Sequence, residues 1–419
     1  MNRKISFYIA IIFSVIILFS ACTSKKITKN QTPQEVWNND YIDTSDFDIL
    51  KSTNDFAFRL FKNTQPTGNI FLSPLSVSYA LAMTYNGAEK ETKRQMALAL
   101  GFTFDKNQVN EGFLSVTDIF NIKNENFEIN LANAVWAQDK FYFTGSFMEN
   151  CKKYYQSGIK FIDFVGQAEN SRLTVNQWVA EKTNHKITDL LKENDITPDT
   201  RLILTNAIYF KASWLYQFNE ALTRKSDFYL SNGSIIKTDM MFENTGRYLY
   251  LQKTDFEMIA IPYAGNIYSM YIILPSAKTS LDKVVKTLNH DFIQKTELEM
   301  RSAYVNLYLP RFNFMFTSQL NTVLKNMGMT DAFNNNADFS GMTGKTDLIL
   351  DKILHKTFIK VDEKGTEAAA STAVIMMERA APPEDKITFN ANRPFFFYIK
   401  NNESGNIIFV GQISNPNDK

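Results

Sequence analysis

From residue 54 to residue 62 the chain reads NDFAFRLFK, with Phe56 and Leu60, and Ala57 and Phe61, each four positions apart. Asp55, Arg59 and Lys62 take up polar positions around them. This spacing gathers the apolar side chains on one face and predicts an amphipathic helix. The next apolar segment, NIFLSPLSVSYALAMTYNGA, differs in kind. It opens as a strand-like run, offers Ser73 as N-cap and Pro74 at the first helical position, and meets a stop at Gly87. Apolar and small residues nearly encircle its axis, so this second helix is expected to be buried on all sides.

Strand patterns dominate beyond residue 200. RYLYLQ, FEMIAIPY and IYSMYIILP are β-branched and aromatic runs, the last two joined as a hairpin through Ala264, Gly265 and Asn266. YVNLYLPRF places Val305, Leu307 and Leu309 on one face, and PFFFYIKNNESGNIIFVGQI forms a second hairpin around Ser404 and Gly405. Helical patterns lie mostly before residue 200 and strands mostly after it, which predicts an α+β fold. No linker, composition shift or internal repeat divides the chain after about residue 45, so one large domain is expected.

The first residues follow another logic. Arg3 and Lys4 precede an apolar run from Ile5 to Phe19, too short for an ordinary membrane span, and then Ser20, Ala21 and Cys22. Phe19 stands where a plain export signal wants a small residue. Leu-Phe-Ser-Ala-Cys instead resembles a bacterial lipoprotein signal. That resemblance implies removal of residues 1–21, lipidation of Cys22, a tether over 22–45 and a folded body over 46–419. The protein would then be lipid-anchored in the bacterial cell envelope, outside the cytoplasm, at the cell surface or in the periplasm. A plain secreted protein is the alternative. The chain has two cysteines; with Cys22 lipidated, Cys151 has no disulfide partner. Cys151 lies in FMENCKKYY, a helical pattern in which an inert, half-buried thiol is expected.

Charge and composition exclude more than they select. The 45 basic and 44 acidic residues leave a net charge of +1, without the basic excess of a nucleic-acid binder, and 44% hydrophobic content can fill a large core. His185, His290 and His355 are scattered without metal-ligand spacing, and no catalytic or metal-binding residue is assigned. FSGMTGKT ends like a phosphate-binding loop, but Phe339 stands where that loop needs its first glycine. No G-x-S-x-G elbow is present. The chain is expected not to be an enzyme and to take no cofactor.

One segment resists the helix reading that its composition invites. GTEAAASTAVIMMERAAPP, Gly365 to Pro383, is rich in helix formers. Its approach, VDEKGTEAAAST, resembles the hinge of a serpin, a serine-protease inhibitor that offers its own loop as bait. NIFLSPLSVSYALAM, LTNAIYFKASW, ADFSGMT, LHKTFIKVDEKG, ANRPFFFYI and FVGQISNP resemble further serpin segments in the right order, from about residue 46 to the end. The resemblance implies three β-sheets, a cluster of helices and an exposed reactive-centre loop at about residues 363–383.

Alternation along a strand divides that loop into two faces. Thr366, Ala368, Ala370, Thr372, Val374 and Met376 share one, without a charge. Glu367, Ala369, Ser371, Ala373, Ile375 and Met377 share the other, for which a solvent-facing position is expected. The resemblance makes residues from Glu363 and Gly365 through Thr372 the hinge. Arg379 lies fourteen residues after Gly365, the spacing usual in the family, so the resemblance implies Arg379–Ala380 as the bait bond and trypsin-like serine proteases as the partners. Met377 or Met376 offers a second bond to other serine proteases, and cysteine proteases stay open as additional targets. Ser73, Ser76, Asn206 and His355 match a polar cluster beneath the opening of the main sheet, and Trp214 the tryptophan under its top. The loop would insert after cleavage and trap the protease as an acyl-enzyme. A monomer without heparin-type activation is expected; a non-inhibitory carrier, chaperone or storage role is the alternative.

Overall fold

In the computed structural model the described residues are 48–64, 68–120, 126–155, 159–366 and 386–419. The first amphipathic pattern lies in the helix Ile49–Asn63, whose N-cap Asp48 accepts a hydrogen bond from the Lys51 amide at 2.9 Å. Phe56, Ala57, Leu60 and Phe61 are all fully buried. The next helix, Pro74–Tyr85, is buried along its whole length, as its unbroken apolar circumference requires. Ser73 occupies its N-cap position, but the hydroxyl donates instead to the Ile408 carbonyl at 2.9 Å. Tertiary structure has claimed that side chain. The helix ends at Tyr85 with Asn86 as its C-cap, directly before Gly87, and a Cβ on Gly87 would meet the Met342 side chain at 1.9 Å. Gly87 is therefore required by packing.

The later strands pair into two networks. Among the described residues, a six-stranded sheet has the order Phe312–Gln319, Lys352–Asp362, Gly365–Thr366, Leu202–Ser213, Phe127–Gln138, Ile159–Ile162. A ten-stranded network includes the two expected hairpins, Phe256–Pro262 with Tyr268–Pro275 and Phe395–Asn401 with Ile407–Ile413. The strand Arg301–Pro310 divides it, pairing through residues 301–304 with Arg247–Gln252 and through 307–310 with Ile235–Glu243. Its later part also pairs with Ile387–Asn390. The second and third sheets implied by the resemblance are thus continuous through one shared strand.

Both faces of the six-stranded sheet are covered, by different means. Ile208, Phe210, Ala212, Ile359 and Val361 point into the large core that holds the helix Pro74–Tyr85 and the C-terminal hairpin. On the opposite face Ile203, Ala207 and Leu354 join a second apolar cluster with Val175 and Val179 of the helix Ala168–Lys182, and with Ile187, Leu190 and Leu191 beyond it. Glu367, Ala369, Ser371, Ala373, Ile375 and Met377, for which a solvent-facing position is expected, lie outside the described residues. Cys151, on the helix Gly145–Tyr155, is fully buried, and burial pushes its thiol up to about 12; it is inert, and more enclosed than expected.

Candidate functional site

Two neighbouring strands define the site. Leu202–Ser213 and Lys352–Asp362 run parallel and pair directly over six rows, from Ile203 with Lys352 to Ile208 with Thr357. They are next bridged at Ala212 and Val361, but there Thr366 stands between them, antiparallel to both. The register is the same in both places, since each partner is 149 residues from the other, so the strands have separated sideways without sliding. Between the zipped rows and the bridged one lie Tyr209, Phe210 and Lys211 on one strand and Phe358, Ile359 and Lys360 on the other.

Close approach of backbones explains the hinge glycine. A Cβ on Gly365 would fall 2.0 Å from the Ala212 carbonyl oxygen. Thr366, 1% exposed, lies with its Oγ1 2.7 Å from the Tyr263 hydroxyl, and the Tyr263 ring stacks on Trp214 with centroids 4.5 Å apart. Trp214 donates through Nε1 to the Asp362 carbonyl at 3.0 Å and through its amide to the Lys364 carbonyl at 2.9 Å. The turn into the hinge is pinned a second time by Glu363. This buried carboxylate accepts Nε of Arg311 at 2.7 and 2.8 Å and the Thr223 hydroxyl, and its pairing holds the Arg311 guanidinium above its ordinary pKa.

Lower down the seam lies a closed polar circuit. The Ser73 amide donates to Nε2 of His355 at 3.1 Å, so Nε2 is unprotonated and the ring proton belongs to Nδ1, which faces Asn206 Oδ1. Ser76 donates to the same Oδ1 at 2.9 Å, Asn206 donates to Asn133 Oδ1 at 2.7 Å, and Asn133 returns a hydrogen bond to the Ser76 carbonyl at 2.9 Å. His355 is completely buried, which pushes its pKa down to about 3 despite the hydrogen bond with Asn206. A neutral ring with no exchange partner in water holds a strand in place; it is not placed to shuttle protons.

The structure brings Ser73, Ser76, Asn206 and His355 together, and puts Trp214 with Glu363, Gly365 and Thr366 at the opposite end of the seam. Glu367, Ala368, Ala369, Ala370, Ser371, Thr372, the Arg379–Ala380 bond and Cys22 lie outside the described residues. Sequence reading missed Asn133, which closes the polar circuit, and Tyr263, Thr223 and Arg311, which hold the hinge. Only one weak signal marked any of them: Arg311 interrupts an apolar run directly after Pro310.

The family model described as Serpin (serine protease inhibitor) matches residues 51–416. A serpin-like protein of Methanosarcina acetivorans is 35% identical over 432 aligned residues, covering 99% of this chain and 99% of that protein. Serpin B6 of Pongo abelii is 38% identical over 88% of this chain and its own entire length. Among solved structures, the thermophilic serpin tengpin in its native state superposes with a TM-score of 0.79 at 33% identity, over 87% of this chain and 94% of that one. Members of this family are generally protease inhibitors and not enzymes. Sequence match, fold and a hinge seated at the top of the main sheet agree: this chain belongs to the serpin family.

Proposed function

We propose that this protein inhibits trypsin-like serine proteases by inserting its cleaved loop into the six-stranded sheet. One observation carries the reading: Thr366 already sits between Ala212 and Val361, in the register of an entering strand. Extending that register residue by residue sets Ala368 opposite Phe210 and Ile359, Ala370 opposite Ile208 and Thr357, and Thr372 opposite Asn206 and His355. Residues 367–369 enter where the strands are already apart. From Ala370 onward every step replaces a direct pair, and Thr372 must displace the hydrogen bond between His355 and Asn206.

The inner-facing residues of the loop are uncharged throughout and small up to Thr372, as the core beneath requires. The outer-facing Ser371, Ala373 and Ile375 are small or apolar, which suits the space under the helix Ala168–Lys182. One ladder in the zipped rows becomes two, and the separated rows gain two, a net gain of about a dozen hydrogen bonds worth on the order of 10 kcal/mol. That is comparable to the whole stability of an ordinary domain, so the uncleaved form is held kinetically.

The bait is Arg379–Ala380: the arginine enters an acidic specificity pocket, the protease serine attacks its carbonyl, and the acyl-enzyme is carried off before water releases it. Cys22 holds the inhibitor to a membrane through its acyl chains, and residues 22–45 form the tether. Incubation with trypsin should give a complex that survives boiling in detergent, with the released peptide beginning at Ala380. Cleavage at another bond would refute the assignment of Arg379. Cleavage without a stable complex or any gain in thermal stability would favour a non-inhibitory role. Labelling with a fatty acid should mark the wild type and not Cys22→Ala; equal labelling refutes the anchor.

A further inference from the structure

The separated rows of the seam carry a lysine on each strand, whereas the zipped rows carry lysines, Lys352 and Lys356, on one strand only. Lys211 lies between the buried Phe210 and Ala212, and Lys360 between the buried Ile359 and Val361, so both lysines point to the outer face. They occupy one row of the sheet, directly below the row in which Thr366 separates Ala212 from Val361. A gap one strand wide puts their backbones roughly 9.5 Å apart, twice the ordinary strand spacing. Lys360 reaches Asp362 at 2.8 Å on its own strand, with a side chain 45% exposed, and Lys211 is registered with Glu128 on its far side. Two like charges facing each other across the width of one strand repel; a carboxylate between them turns both interactions attractive.

We propose that Lys211 and Lys360 form a receptacle for one carboxylate of an entering strand, and that its occupant is Glu367. The assignment follows from Thr366, whose position leaves the next residue only the row of Lys211 and Lys360, on the face opposite to Thr366. It rests on the insertion reading above and adds to it a residue that sets the rate of the first step. Inserted in that register, Glu367 would take the outer face, as alternation requires, but between two cations and not in open solvent. The pair attracts the hinge before any direct strand pair has to break.

The partition between trapped trypsin and released trypsin measures that rate, because insertion competes with deacylation. In the full chain at low salt, Glu367→Gln should raise the number of inhibitor molecules cut per protease trapped about three- to fivefold, the scale of two partly exposed ion pairs. Glu367→Arg should raise it further, to about tenfold. At about 1 M salt, where screening acts within about 3 Å, both effects should shrink below twofold. The double variant Lys211→Gln with Lys360→Gln should match Glu367→Gln, and adding Glu367→Gln to it should change nothing more. Additive losses, or losses indifferent to salt, overturn the receptacle. If the wild type traps trypsin and gains thermal stability on cleavage while Glu367→Gln behaves identically, only the receptacle falls. If the cleaved wild type gains no stability, the insertion reading falls with it.

Discussion

At the top of the seam Thr366 separates Ala212 from Val361, and its hydroxyl meets Tyr263. At the lower end Asn206 and His355 face each other with nothing between them, and the ring of His355 is tied to the amide of Ser73. The same two strands, in the same register, are thus open at one end and zipped at the other. The open end is built on apolar contact and stacked rings, which accept a small side chain with no rearrangement. The closed end is a circuit of buried hydrogen bonds, in which a lost partner leaves an unsatisfied group. A strand that enters from the top therefore meets little resistance at first and most of it at the polar circuit.

The largest expected effect is at the top. Thr366→Arg would force a charge into a row walled by Ala212, Val361 and Tyr263, costing several kcal/mol. Trapping of trypsin in a detergent-stable complex should fall at least about 100-fold, with the chain still cut at the same bond. Undiminished trapping would mean that entry does not begin at Thr366.

The polar circuit should respond to pH. Burial holds the folded pKa of His355 near 3, against 6.5 in an unfolded chain. Above 6.5 neither state binds the proton; below it the unfolded chain binds one that the folded ring cannot, so stability falls as pH drops from 6.5 towards 3. At pH 5 the loss is about 2 kcal/mol. Denaturant unfolding of the uncleaved protein at pH 7.5 and pH 5 should show it, and His355→Gln should lose most of that difference. An unchanged pH dependence in the variant would assign the loss to other groups.

The smallest effect concerns the segment that crosses the seam on the outer face. Lys356 is paired with Asp189, and Lys352 with Asp195 at 2.9 Å, so residues that lead into one strand are tied to the other. Asp189 is 68% exposed, and removing its charge is worth about 0.5 kcal/mol. Amide exchange at Leu354–Thr357 should quicken about twofold in Asp189→Asn. No change there would show that the apolar roof alone holds the zipped rows.

Periodicity sufficed for the first two helices and for both hairpins, because an apolar stripe or an alternating run has one satisfactory burial wherever the rest of the chain goes. The order of motifs sufficed for the family, and with it for Ser73, Ser76, Asn206, His355 and Trp214 as a set. What no local pattern could supply was which residues share a row across strands far apart in sequence. Lys211 and Lys360 are 149 positions apart and look like two ordinary surface lysines until the register of Thr366 places them side by side. Ser73 reads as a helix cap, yet its hydroxyl goes to the carbonyl of Ile408, a residue that only the tertiary fold brings beside it. Composition made the stretch that begins at Gly365 look helical, yet Gly365 and Thr366 are strand, because Thr366 lies between two strands of the sheet. Propensity acts within a few residues, whereas a sheet position satisfies backbone groups on both sides at once, and that larger energy is set by the tertiary fold.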